Sequence, residues 1–140
     1  MGEAFPEHLL DETLWDFASQ PAFTSRAEFM AAVLRHHREA QEYAPDIRPE
    51  ESWRPDHIAL RCPRVVVRYY CDPPGEEPSW RETELVSDDG SSFTDGELLY
   101  KLHNAIIEEV RDNGHRWFEG LGLEGLARAG IPVYRLIPGS

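Results

Sequence analysis

Two hydrophobic periods alternate along this chain of 140 residues, and the switches between them mark its elements. Residues 7–18 place Leu10, Leu14 and Phe17 on one side of a short helix, with Pro21 just past its end, where a proline commonly follows a helix stop. A second helix is better marked. Ser25-x-x-Glu28 is a capping box, in which each side chain satisfies an orphan amide of the first turn. Phe29, Met30, Val33, Leu34, His37 and Ala40 then recur at helical spacing to about residue 43. Residues 44–56 carry Pro45, Pro49 and Pro55 among acidic side chains and predict a connection within one domain, since 43 residues make a poor domain alone.

The period then changes to two. Residues 64–71 alternate as a strand, with Val65, Val67, Tyr69 and Cys71 on one face and Arg64, Val66, Arg68 and Tyr70 on the other. Asp72-Pro-Pro-Gly75 opens a turn, and residues 80–87 read as the returning strand. Thr94-x-x-Glu97 is a second capping box and starts the clearest helix, with Leu98, Leu99, Leu102, Ile106 and Val110 as its apolar stripe. Asn113-Gly114 is a suitable C-terminal stop. Residues 116–123 and 131–137 predict two further strands joined by a Gly-bearing loop.

The predicted fold is therefore α+β. A single domain, 1–140, has a helical N-terminal part (1–43), an acidic Pro-rich connection (44–56) and a ββαββ part (57–140). The N-terminal helical pair precedes an antiparallel sheet of about four strands, covered on one face by helices.

Charge changes the picture next. Lys and Arg number 14 against 26 Asp and Glu, a formal net charge of −12. Lys101 is the only lysine and the basic residues are scattered singly, so nucleic acid and anionic membranes are not expected partners. A basic protein is the electrostatic match. The N-terminus lacks the basic start and apolar core of a secretory signal, and Pro6 breaks the myristoylation pattern after Gly2. No apolar run approaches the roughly 20 residues that span a bilayer. Cys62 and Cys71, on an extended stretch, would sit about 30 Å apart at ~3.3 Å per residue, too far to bridge. Free thiols and a cytoplasmic location are expected.

Several motifs suggest chemistry and lose it in context. Gly120-Leu-Gly122-Leu-Glu-Gly125 matches G-x-G-x-x-G, but no crossover helix fits behind it, so hairpin glycines are the expected role. His36, His37, Glu39 and Glu42 lack the second half of a di-iron ligand set. No metal or cofactor is expected. Asp88-Asp89 and Glu108-Glu109 are adjacent pairs whose side chains diverge. Glu50-Glu51-Ser52-Trp53-Arg54 resembles Glu76-Glu77-Pro78-Ser79-Trp80-Arg81, yet two copies make no solenoid.

His103 stands out. At ~100° per residue from Leu98 it falls near ~140°, inside the apolar stripe of its helix. It is expected to be a structural histidine with both ring nitrogens paired; in an enzyme it would be the catalytic residue.

The surface supplies the remaining candidates. The sheet face away from the helices is expected to carry Arg64, Val66, Arg68 and Tyr70, with Arg81, Thr83 and Leu85 beside them. Pairing with Glu82 or Glu84 depends on a register that the sequence leaves open. Trp53 and Trp80 sit at element edges beside arginines, where each would either plug the edge of the domain's own core or serve a partner, and Trp, Tyr and Arg are the residues enriched in interface hot spots. Trp53, Arg68, Tyr70, Trp80 and Arg81 are thus the candidate binding residues. The leading expectation is a non-catalytic acidic protein that engages a basic partner, of the inhibitor or immunity type. The alternatives are a small enzyme or ligand-binding domain with a cleft near His103, to which His115, Arg116 or Tyr134 would contribute, and a self-associating assembly subunit.

Overall fold

The structure, a computed structural model, describes residues 5–17, 21–113 and 117–139. In chain order the elements are β1 (His8–Leu9), β2 (Trp15–Asp16), α1 (Arg26–Tyr43), α2 (Pro49–Ser52), β3 (Ile58–Leu60), β4 (Arg64–Cys71), β5 (Ser79–Val86), β6 (Phe93–Thr94), α3 (Asp95–Val110), β7 (Trp117–Leu126), a 3₁₀ turn (Arg128–Gly130) and β8 (Pro132–Gly139). The fold is α+β, with a six-stranded sheet ordered β1-β7-β8-β4-β5, β2 also lying on β7, and a separate β3–β6 ladder.

Of each predicted capping box the N-cap half forms, while the Glu97 carboxylate instead accepts from the Asp88 N–H at 2.7 Å and from Lys101 at 2.9 Å. The Ser25 hydroxyl accepts from the Glu28 N–H at 3.2 Å and that of Thr94 from the Glu97 N–H at 3.1 Å. Between them α1 and α3 bury Phe29, Ala32 and Val33, and Leu98, Leu99, Leu102, Ile106, Ile107 and Val110. Each buried aliphatic side chain contributes about 1.5–3 kcal/mol relative to exposure. They pack with Val65, Val67, Leu85, Leu121 and Leu136 in one core.

The N-terminal helical pair is not formed. Residues 7–18 were expected to be a helix; the described part is instead the two short strands β1 and β2, both antiparallel to β7. A helix of that length is marginal alone, whereas the edge of β7 presents backbone groups that need partners. Leu10 takes a positive φ of 55°, and the Thr13 N–H returns to the Leu10 carbonyl at 3.1 Å, which ends any helical run.

The ββαββ arrangement and the purely antiparallel sheet also need correction. Short strands β3 and β6 interleave with the hairpins, and the hairpins join through β4 and β8, which run parallel with Val67 opposite Tyr134. A parallel pair needs a long crossover, and the segment containing α3 provides it. The sheet is therefore mixed.

The three motif glycines lie within β7 rather than in a hairpin loop. Gly120 and Gly125 fall in or at its two register shifts against β8, with φ of 110° and 157°. A Cβ on Gly120 would meet Asp11 Cα at 3.1 Å and the Leu9 carbonyl oxygen at 3.2 Å, so the N-terminal segment approaches this strand as closely as glycine allows. Gly120→Ala is expected to cost about 2–3 kcal/mol, through positive φ together with the backbone clash. Gly90→Ala, with φ of 74° in open space, is expected to cost about 1 kcal/mol. Urea unfolding of both variants decides; equal losses would mean that the close approach contributes nothing.

Candidate functional site

Register decides what shares the outward sheet face. Tyr70 pairs with Trp80, Arg68 with Glu82 and Val66 with Glu84, so even-numbered residues of both strands point together. The Tyr70 and Trp80 rings lie 5.2 Å apart, and the Arg68 guanidinium lies 5.2 Å over Trp80 while donating to Glu124 at 2.8 Å. Trp80 is 48% exposed and Tyr70 37%. Three of the five predicted binding residues thus form one patch. Its charges are largely paired within the fold, since Arg64 also reaches Glu84 at 3.3 Å.

The other two do not belong there. Arg81 was placed beside Arg68 and Tyr70, but it sits opposite Tyr69 on the helix-facing side and donates to Glu109 of α3 at 2.9 Å. Thr83 and Leu85 turn inward with it, Leu85 into the core. Trp53 is 3% exposed; its indole N–H donates to the Met30 carbonyl at 3.2 Å and its ring stacks on His37. It fills the core beneath α1.

His103 is fully buried and both ring nitrogens are engaged. The Trp15 indole N–H donates to Nδ1 at 3.0 Å, and Nε2 donates to the Pro21 carbonyl at 2.9 Å. One partner can only donate and the other only accept, so the ring is the neutral Nε2–H tautomer. Burial lowers its pKa against the pull of the Pro21 carbonyl. Such a ring has no lone pair or proton left for a substrate. Tyr134, a suggested neighbour, donates its hydroxyl to the Pro6 carbonyl at 2.6 Å, and burial pushes its pKa up to about 12. His115 and Arg116 lie outside the described residues.

His37 mirrors His103. Its Nε2 accepts from the Leu14 N–H at 2.9 Å and its Nδ1 donates to the Val33 carbonyl at 2.9 Å. The two imidazoles therefore tie the N-terminal segment to α1 and α3. Among the described residues no three His, Cys, Asp or Glu side chains converge as metal ligands. Cys62 and Cys71 are free thiols, Cys71 buried and its pKa raised by that burial.

Two features escaped the sequence reading. The first is His57, whose Nδ1 lies 3.1 Å from Asp95 Oδ1 beside a cavity of about 110 Å³. Burial raises the Asp95 carboxyl, and His57 pulls it back. Thr13 lines the same cavity, but its hydroxyl donates to the Ser52 carbonyl at 3.2 Å. The pair pins the start of α3, where the Asp95 N–H also meets the His57 carbonyl at 2.8 Å.

The second is a cleft of about 390 Å³ between α1 and β7. Trp15, His36, Tyr43, Trp117 and Phe118 supply its rings, and Glu39 and Glu119 its carboxylates. Trp117 is 42% exposed and Tyr43 89%. The His36 ring lies 5.7 Å from Trp15, edge to face, and 6.1 Å from Trp117, tilted, so that it joins the two indoles. Burial lowers the His36 pKa, against the pull of Asp16 and Glu39, so its ring tends to the neutral form. The available signal was His36, Glu39 and Tyr43 at spacings of three and four, one stripe of a helix; of these only His36 and Glu39 belong to the metal set considered from the sequence, and Tyr43 does not. No known family, curated protein or solved structure matches the chain.

Proposed function

We propose that this chain is a non-catalytic acidic protein that engages a basic protein partner, as an inhibitor or immunity-type protein does. One observation carries the reading. Among the described residues Arg26, Arg38, Arg48, Arg64, Arg68, Arg81, Lys101 and Arg111, of the chain's 14 basic residues, lie in ion pairs with carboxylates of the same chain. The acidic excess of −12 therefore rests on carboxylates such as Glu39, Glu42 and Glu119, which form no ion pair among the described residues. An uncompensated field of one sign speeds encounter with a partner of the other sign. The engaged nitrogens of His103 argue against the enzymatic alternative built on that residue. No helix among the described residues is long and apolar enough to cross a membrane. The proposal places the protein in the cytoplasm, where Cys62 and Cys71 stay reduced.

The test is capture of partners from the source lysate at low salt, elution with rising salt, and reconstitution with each purified eluate. A basic protein that rebinds, with an association rate falling roughly tenfold or more from about 0.02 to about 0.5 M salt, is the expected result. Recovery of the chain's own copies alone would favour self-association and overturn the proposal.

A further inference from the structure

The direction of each backbone group in β5 follows from one contact just past its end. Ser87 donates its N–H to the Pro63 carbonyl at 2.9 Å, and the β4–β5 ladder runs from Arg64↔Val86 to Cys71↔Ser79 without a shift. Bonded positions alternate in an antiparallel pair, so the odd-numbered residues of β5 bond to β4. The N–H and C=O groups of Trp80, Glu82 and Glu84, with the Val86 N–H, therefore point out of the sheet, where β5 is the last strand. The Val86 carbonyl points the same way and accepts from Lys101 at 2.5 Å. No backbone bond from another element reaches the others among the described residues.

Open edges are ordinarily blunted by brevity, proline or a bulge. This one has 8 residues and none of the three. Acid guards it instead. Glu82 forms no ion pair among the described residues, and Glu84 meets Arg64 at 3.3 Å. The cations on the helix side are already held, Arg81 by Glu109 and Lys101 by Asp88 and Glu97. Glu76 and Glu77, both exposed, precede the strand.

A second copy fits this edge badly. A sheet continued antiparallel through a two-fold axis sets each residue opposite one of the same parity. Every such register that overlaps more than half of β5 opposes Glu82 or Glu84 to itself or to the other, or Arg81 to Arg81. Like charges directly opposite destabilise a sheet, and opposite charges there support it.

We infer that the β5 edge receives an antiparallel strand of the basic partner, with Lys or Arg opposite Glu82 and Glu84. The inference rests on the acidic-binder reading and gives it a place, a backbone ladder and an alternating charge pattern. In such strand addition the main-chain bonds supply affinity and the alternate side chains supply specificity.

The probe is the blocked peptide Ac-Thr-Arg-Val-Arg-Val-Thr-NH₂, titrated into the full chain at low salt and followed by backbone amide shifts and hydrogen exchange. Its arginines lie opposite Glu84 and Glu82, with their own N–H groups facing β5. Three relatives are run alongside, one with glutamate for both arginines, one N-methylated on both arginine nitrogens and one N-methylated on both valine nitrogens. In the free chain the Glu82 and Glu84 amides should exchange faster than those of Arg81, Thr83 and Leu85. The peptide should protect them, with millimolar or tighter affinity and at least about tenfold preference over the glutamate peptide. Methylation on the valines, whose N–H groups point away, should change little, whereas methylation on the arginines should remove the protection. Glu82→Gln and Glu84→Gln, both at exposed positions, should each weaken binding several-fold without lowering the melting temperature. Slow exchange of the Glu82 and Glu84 amides in the free chain, equal binding of the glutamate or the arginine-methylated peptide, or no saturable protection overturns the inference. Protection that grows with the chain's own concentration would give the edge to a second copy and overturn it too.

The exchange rates also separate this idea from its parent. A captured basic protein that binds while the Glu82 and Glu84 amides stay in fast exchange leaves the acidic reading standing and removes the strand edge. Failure to capture any basic protein, with a positive peptide titration, removes the protein-partner reading and leaves a peptide-binding edge.

Discussion

His103→Leu is expected to lower the unfolding free energy by about 3–4 kcal/mol, more than any substitution on the surface. Leucine fills much of the same space, so the loss does not come mainly from a cavity. It comes from the two groups that the imidazole serves, the Trp15 indole N–H and the Pro21 carbonyl. A buried group left without its partner costs about 1–3 kcal/mol, and Trp15 is 2% exposed. The ring contacts add to this. His103 stacks on Phe17 at 5.9 Å and meets Trp15, Phe23 and Phe29 at 5.3 to 5.7 Å, and aromatic pairs add about 0.5–1.5 kcal/mol each beyond buried area. His103→Gln retains a donor and an acceptor and should lose less. Urea titrations at neutral pH measure both, and a loss under about 1 kcal/mol for His103→Leu would show that the imidazole is not what holds the N-terminal segment to α3.

Acid should weaken the same region. In His103 and His37 the accepting nitrogen faces a group that can only donate, Trp15 Nε1–H or the Leu14 amide. Protonation would set donor against donor in a buried site. No acid or cation contributes to the His103 shift, where burial prevails. At His37 burial and the neighbouring His36 outweigh the carbonyls of Val33 and Glu12. Both folded-state pKa values therefore lie below the unfolded value of about 6.5. The unfolded chain then binds more protons, so stability is full above about pH 6.5 and is lost as pH falls toward the folded values. Each histidine contributes a slope of up to ~1.4 kcal/mol per pH unit, about 2.7 for the two together. His36 acts in the same direction, while Asp95, whose carboxyl is raised by burial, opposes it. Urea midpoints between about pH 7.5 and about pH 5 sample the histidines before most carboxylates titrate. A flat profile there would mean that neither ring is held neutral by the fold, and each single His→Gln variant should remove part of the slope.

What the sequence disclosed follows from the reach of each signal. Ser25, Thr94 and the stripe Leu98, Leu99, Leu102, Ile106 are local devices, so α1 and α3 were legible, as was the alternation of β4. Residues 8–16 were not, because Leu10 and Leu14 keep helical spacing while the deciding partner, β7, lies more than 100 residues away. Register was the other loss. Once Tyr70 faces Trp80, every odd-numbered residue of β5 turns toward α3, which moved Arg81 off the patch and brought Glu82 and Glu84 onto it. The aromatic cleft was lost with residues 8–16, since Trp15 and Trp117 meet His36 only through the β2–β7 pairing, which no local pattern encodes.

β8 has a temporal consequence. It is the middle strand of the sheet, between β7 and β4, yet residues 132–139 follow every other element in order of synthesis. Without it the β4–β5 hairpin can close and the N-terminal segment can settle on β7 with no ladder between them. Only β8 joins the two halves, and its bond to β4 is parallel and distant in sequence, the kind of pairing that forms late. Until then Val67 and Leu121 lie on opposite banks of an unfilled gap. Released chains truncated after residue 131 should hold two separate half-sheets, exposed to chaperones and proteases at their inner edges.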